Sequence, residues 1–362
     1  METTFADRLP SAPAFALCFA AFQLAMLGMG AGAALLLLPR GGRRDALAFA
    51  PVLGLVVATF AGWHLMFAGP PGTDRHWGWP AALGAALTLA GCAWRRRELR
   101  QAVDRDVLWL AAAATLTVCF YAHATLREPH LTAAAQNNDI AAYTAIERQL
   151  QALPGTTPKG PGDQFGMVDL ARTTVTGAFL GTALFSSAIR VPTYQLQTVS
   201  IAAYLSWGAL LAGLFALRVL RFSRGGALLV TLVAGAGQVT LYTAWCSFKS
   251  SLAGTAVMMA VLVAAFPVLQ PPRPAEPPEP RLARVPLLAA LALGLALAYP
   301  HQLPILWAVL GAAGCAHAVV QRSWAPIRNG AVALGGGLLA AAAVSPGRAA
   351  VVASYFSEMG QS

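Results

Sequence analysis

The sequence predicts an all-α fold: a polytopic transmembrane helix bundle of about ten spans, with a large extracytoplasmic loop carrying short interfacial helices. Three observations predict it. Of 362 residues, 57% are apolar and 11% charged, with a mean hydropathy of +0.59; soluble domains carry about 25% charged residues. The apolar residues fall in runs near the length of about 20 that a helix needs to cross the hydrocarbon layer. Ala, Leu, Gly and Val dominate those runs, without the alternation of a membrane β-barrel.

By that measure the spans are 13–38, 46–68, 78–94, 107–124, 196–217, 226–244, 250–269, 286–300, 303–320 and 329–344. The first run is too long for a signal-peptide core and is expected to remain as a membrane helix. The net charge of +10 comes almost wholly from Arg, since Lys159 and Lys249 are the only lysines. These charges sit in short loops between apolar runs, so they set orientation and do not mark a nucleic-acid surface. "PRGGRRD" (39–45), "RRRELRQAVDR" (95–105), "RVLRFSR" (218–224), "RLAR" (281–284) and the Arg322–Arg328 turn all fall on one side if ten helices alternate. That side should be cytoplasmic, which places the chain in the plasma (inner) membrane as a multi-pass protein.

This alternation requires the eleventh apolar stretch, 170–189, to lie at or dip into the outer interface without crossing. "QPPRPAEPPEPR" (270–281) has too many prolines for a helix and reads as an extended cytoplasmic linker within 270–285. The five cysteines show no close spacing, so neither a disulfide framework nor a zinc site is expected. Trp63, Trp77, Trp79, Trp94, Trp207 and Trp324 fall where an aromatic belt would place them.

The longest connection, 125–195, lies on the outer side and contains "QNNDIAAYTAIERQL" (136–150), polar in a chain that avoids polarity. Long connections are commonly functional. Ile140, Tyr143, Leu150 and Leu153 recur at helical spacing, which predicts a short amphipathic helix resting on the membrane, begun by Asn138-Asp139 and ended by "LPGTTPKGPG". Asp139 has two compatible readings: a cap on the first amides of that helix, and an acidic group able to serve as a general base. Glu147 lies about 12 Å further along the helix axis, too far for a paired-carboxylate site, and is expected to face solvent beside Arg148.

Asn138, Tyr143, Arg172, Lys249 and His301 are the other outer-side candidates for substrate contact. Lys249, a lone outer lysine, could meet a phosphate or simply carry its charge to the interface. His301 lies in the tight turn "YPHQLP" (299–304). His64, His123 and His317 lack metal-ligand spacing and are expected to pack between helices. No P-loop, GxSxG or HExxH motif occurs. No span shows an obvious buried pair of opposite charges, which proton-coupled transport would call for.

The order of these features resembles the C-type (GT-C) glycosyltransferase superfamily of polytopic membrane enzymes. There a span leads into a large outer loop with an acidic catalytic residue, then short interfacial helices, then an inward span. Here the span 107–124 leads to "QNNDIAAY", then "MVDLARTTVTGAFLGTALFSSAI", then 196–217. "YTAWCSFKSSLAGTAVMMAVLVAAF" is similar to the family's Tyr-rich outer turn and following span, and "LALAYPHQLPILW" to its Tyr-Pro turn. The resemblance implies a seven-span core over 107–344, three additional helices in 1–106 and a short outer tail, 345–362.

It also implies a sugar carried on a polyprenyl phosphate as donor, a glycan, lipid or protein acceptor in the cell envelope, and Asp139 as catalytic base. Members often carry paired acidic residues at this point, where this chain has Asn138 beside Asp139, so a divalent cation is an open expectation. Members often continue into a soluble outer domain; the end "SYFSEMGQS" reads as that of a minimal form, a degenerate relative or a truncated product. The competing readings are a permease for lipid-linked glycans and a non-catalytic scaffold of envelope assembly.

Overall fold

The computed structural model describes residues 7–67, 78–96, 103–123, 125–127, 139–152, 176–246, 248–269 and 281–344, with positions 350, 353 and 357. Among these residues the chain is helical and contains no strand. The helices are α1 (Ser11–Leu37), α2 (Ala46–Phe67), α3 (Gly78–Trp94), α4 (Arg105–Ala122), α5 (Asp139–Ala152), α6 (Thr176–Ile189) and α7 (Thr193–Arg218). They continue as α8 (Arg224–Ala236), α9 (Gln238–Trp245), α10 (Lys249–Leu269), α11 (Val285–Ala298), α12 (Leu303–Gln321) and α13 (Ala325–Val344). Every apolar run expected to span is helical. The run 226–244 is divided at Gly237, whose extended ψ of 146° breaks the helix into α8 and α9.

Among the described residues seven segments are long and apolar enough to cross a membrane: Ser11–Leu37, Arg40–Gly62, Arg105–Ala122, Thr193–Arg218, Arg224–Trp245, Lys249–Leu269 and Pro300–Gln321. Large apolar side chains face outward along several of them, among them Leu24, Leu229, Val239 and Val320. In water such surfaces would drive aggregation; against lipid tails they cost nothing. The chain is therefore a helical membrane protein.

Helix α7 is the central post. It is buried along most of its length and packs against α1, α2, α4, α5, α6, α8 and α10. Phe22 of α1 stacks on Trp207 of α7 with ring centroids 5.9 Å apart, and the Trp207 indole N–H donates to Gln23 Oε1. Trp207 is thus a core residue and not part of an aromatic belt, because it sits mid-helix where a polar partner satisfies its N–H. Trp94 and Trp324 are exposed, as a belt position requires. Helices α1 and α2 share one continuous core with α7, α10 and α11. They approach closely at two glycines: a Cβ on Gly54 would stand 1.8 Å from the Met26 carbonyl oxygen, and one on Gly30 1.9 Å from that of Ala50. Small residues let helix backbones meet where lipid supplies no hydrophobic drive between them.

Cross-chain contacts gather the arginine-rich segments at one end. Arg218, at the end of α7, donates through Nε to Asp45 (3.0 Å) and through Nη2 to Asp104 (2.7 Å). Burial acts to raise the Asp104 carboxyl, but the Asp106 amide and Arg218 outweigh it and hold that carboxyl below its usual value. Arg224 pairs with Asp106 at 2.7 Å. Helix α10 runs parallel to α7, with Phe215 edge-on to Phe266. Arg284 reaches the Ala264 carbonyl near the end of α10, and Gly330 lies against Leu269. The opposite end holds the starts of α7 and α10 and the turn at Pro300–Gln302.

Candidate functional site

Helices α5, α6, α7 and α10 meet at that opposite end. Along α5 the residues Ile146, Glu147 and Leu150 are buried and Gln151 is half-buried, while Ala145 and Arg148 are exposed. The helix is amphipathic, as its spacing predicts, but its inward face carries a carboxylate and an amide along with the apolar residues. Leu150 lies on that face, which packs against α6 where a face resting on the membrane was expected. The side chains of Ile140 and Tyr143, and all of Leu153, fall outside the described residues.

Gln151 Nε2 lies within hydrogen-bond reach of the Ala183 carbonyl (3.0 Å), Ser186 Oγ (3.1 Å) and Ser187 Oγ (3.0 Å), all on α6. One turn earlier, Glu147 accepts from Lys249 Nζ, from the first turn of α10, and from Gln197 Nε2 on α7. Gln197 Oε1 in turn accepts from Lys249 at 3.1 Å. The ammonium also lies 5.4 Å from the ring centroid of Phe179 on α6, within cation–π range. Glu147, Gln197 and Lys249 are each fully buried.

The expectation that Glu147 faces solvent is therefore corrected. Its helix is rotated so that Arg148 is exposed and Glu147 points into the bundle, where three polar partners satisfy it. Burial pushes its carboxyl up to about 7, against the lowering effect of Lys249, Gln197 and Thr182. The absence of an obvious buried pair within any one span does not extend to pairs between a span and the long connection. Lys249 opens a spanning helix, but its partner comes from a helix of the long connection, so no scan of the spans alone would pair them. A lone lysine at the start of an apolar run was the available signal, since a buried ammonium requires a counter-charge.

Helix α6 is enclosed: Gly177–Ser186 are all buried, packed by α2, α5, α7, α10 and α11. At 14 residues it spans about 21 Å, as α11 does, short of the roughly 30 Å of a hydrocarbon core. It is embedded among helices and does not present one face to an interface.

The structure brings Lys249 and His301 to the same end. Gln302 Nε2 donates to the Ser251 carbonyl (3.2 Å) and to Thr255 Oγ1 (2.9 Å), tying the Tyr-Pro turn to the start of α10. His301 is half-buried and stacks on Tyr299 with ring centroids 4.6 Å apart. Asp139 is the first residue of α5, two turns before Glu147; its side chain, like Asn138 and Arg172, falls outside the described residues. His64 and His123 engage the Phe60 and Phe120 carbonyls of their own helices, each at 2.8 Å. Among the described residues no three His, Cys, Asp or Glu side chains stand together as a metal site.

Comparison of the chain with protein families, curated proteins and solved structures finds no match.

Proposed function

We propose that this chain is an integral membrane glycosyltransferase of GT-C type. It would move a sugar from a polyprenyl-phosphate donor to a cell-envelope acceptor at the outer face of the plasma membrane. In this reading ten spans cross the bilayer, α8 and α9 together forming one, α6 does not cross, and the arginine-rich end is cytoplasmic. The observation that carries the reading is the fastening of α5. The helix that begins at Asp139 is held in the bundle by Glu147, Lys249 and Gln197, at the end opposite the arginine-rich segments.

Asp139 takes the proton from an acceptor hydroxyl as that oxygen attacks the anomeric carbon. The bond from that carbon to the donor phosphate breaks, the phosphate leaves with the electron pair, and configuration inverts. One base suffices, in agreement with Glu147 being engaged elsewhere. General-base catalysis contributes about 10²–10⁴-fold. Arg172 and His301 would offset charge on the leaving phosphate. Lys249, engaged by Glu147, acts as a positioning residue for α5 and leaves the phosphate to the other two.

The test is a deletion strain complemented with wild type or with Asp139→Ala at matched membrane levels, its envelope glycans compared by mass spectrometry. Loss of a sugar on deletion, restored by wild type alone, supports the transferase. Full restoration by Asp139→Ala removes it. A second reading, a permease for lipid-linked glycans, is favoured by one feature, the buried Glu147–Lys249 pair, since ionisable residues within a membrane bundle commonly mark transport pathways. Under that reading Glu147→Gln abolishes glycan export while Asp139→Ala is silent.

A further inference from the structure

At the arginine-rich end, far from α5, a cavity of about 320 Å³ opens between α4, α7 and α8. Its walls are mainly apolar: Trp109, Leu110, Leu217 and Leu228, with Asp106 and Arg224 as the charged members. Trp109 lies one turn deeper along α4 than Asp106 and is 66% exposed. Arg224 engages Asp106 through Nε, yet its side chain remains 78% exposed. Arg221, in the short segment leading into α8, and Arg105, beside Asp106, are exposed as well. The cleft therefore pairs a greasy wall with a charged rim, the exposed Arg224 guanidinium that Asp106 engages only through Nε.

We infer that this cleft seats one phospholipid with an anionic headgroup, its acyl chain along Trp109, Leu110 and Leu228 and its phosphate at the Arg224 guanidinium. A soluble anion would gain nothing from the apolar wall, and a zwitterionic lipid little from the rim. A protein segment would have to cover a surface that the outward-facing Trp109 and Leu229 already suit to lipid. The guanidinium fork matches a phosphate, and a basic side chain near an anionic membrane surface favours binding by about fivefold. The inference holds whether the opposite end transfers sugar or transports it.

The full-length protein is placed in phosphatidylcholine nanodiscs containing a small, fixed fraction of brominated phosphatidylglycerol or brominated phosphatidylcholine. The Trp109 signal is taken as wild type minus Trp109→Phe. Phosphatidylglycerol is expected to quench it at about fivefold lower mole fraction. Arg224→Gln should erase that preference, Arg224→Lys keep most of it, and Asp106→Asn increase it, each variant first shown to elute as a single species. Arg328→Gln removes a charge at the same end outside the cleft and should leave the preference intact. Equal quenching by both lipids would overturn the proposal, as would an unquenched Trp109 or an Arg328→Gln effect as large as that of Arg224→Gln.

Discussion

Lys249 and Glu147, 102 residues apart in the chain, meet as a fully buried ion pair that joins α10 to the helix beginning at Asp139. Above about pH 7, where the carboxylate is ionised, removing one partner leaves the other charge buried and uncompensated, which costs about 3–5 kcal/mol. Lys249→Met and Glu147→Leu are each expected to lower thermal stability in detergent by an amount of that order. The double variant should recover most of the loss, because an apolar pair needs no counter-charge. Additive losses in the double variant would show that the pair is not a unit.

The same carboxyl makes stability depend on pH. Its folded value lies near 7, above an ordinary 4.5. Over that interval the folded chain keeps a proton that the unfolded chain has released. The contribution of Glu147 is therefore most favourable below about 4.5, declines as pH rises toward about 7, and is level beyond. Melting curves of wild type and of Glu147→Gln/Lys249→Met between these limits should converge as pH rises. A constant gap would contradict the raised value.

Asp139→Asn keeps the hydrogen-bond-accepting oxygen of a helix cap and removes the base. The transferase reading expects a rate lower by about 10²–10⁴-fold with membrane levels unchanged, measured as glycan transferred per unit protein. A purely capping Asp139 gives the opposite result, since Asn and Asp cap equally well.

Arg218 holds Asp45 and Asp104 together and so ties the starts of α2 and α4 to the end of α7. All three side chains are largely shielded from solvent. Arg218→Met is expected to cost about 1.5–3 kcal/mol, the range for hydrogen bonds to charged groups. It should also raise the accessibility of cysteines introduced at the α2 and α4 starts. Unchanged labelling there would mean that packing alone closes this end.

Gly54→Leu tests the α1–α2 contact. The backbone, not a flexible side chain, occupies the space where a Cβ would go. The variant should separate the helices and fail to accumulate, whereas Gly311→Ala, with open space around it, should accumulate normally. Equal accumulation would place the close contact elsewhere.

The helices themselves were legible because their signal is local: apolar length, Arg-bearing ends and turn residues. Run 78–94 has its ends in place, and the remaining helix boundaries fall within a few residues of the apolar limits. Gly237 escaped notice, since one glycine in an apolar run does not announce a break. The period puts Leu150 on the apolar face of a helix expected to rest on the membrane, and in the structure that face packs into the bundle. Glu147, three residues earlier and on the same side, was misread because a charged residue in a polar stretch is ordinarily solvated.

By itself the sequence determined that this is a helical membrane protein, where its helices lie, and that five arginine-rich segments belong to one end. Those properties follow from what each segment can bury in lipid. Only the tertiary structure decided which polar groups meet. Glu147 is fixed by a lysine and a glutamine on two other helices, Trp207 by Gln23, and Arg218 by two distant aspartates. A buried polar group is tolerated only where a partner reaches it, and partners far apart in the chain are chosen by packing rather than by spacing.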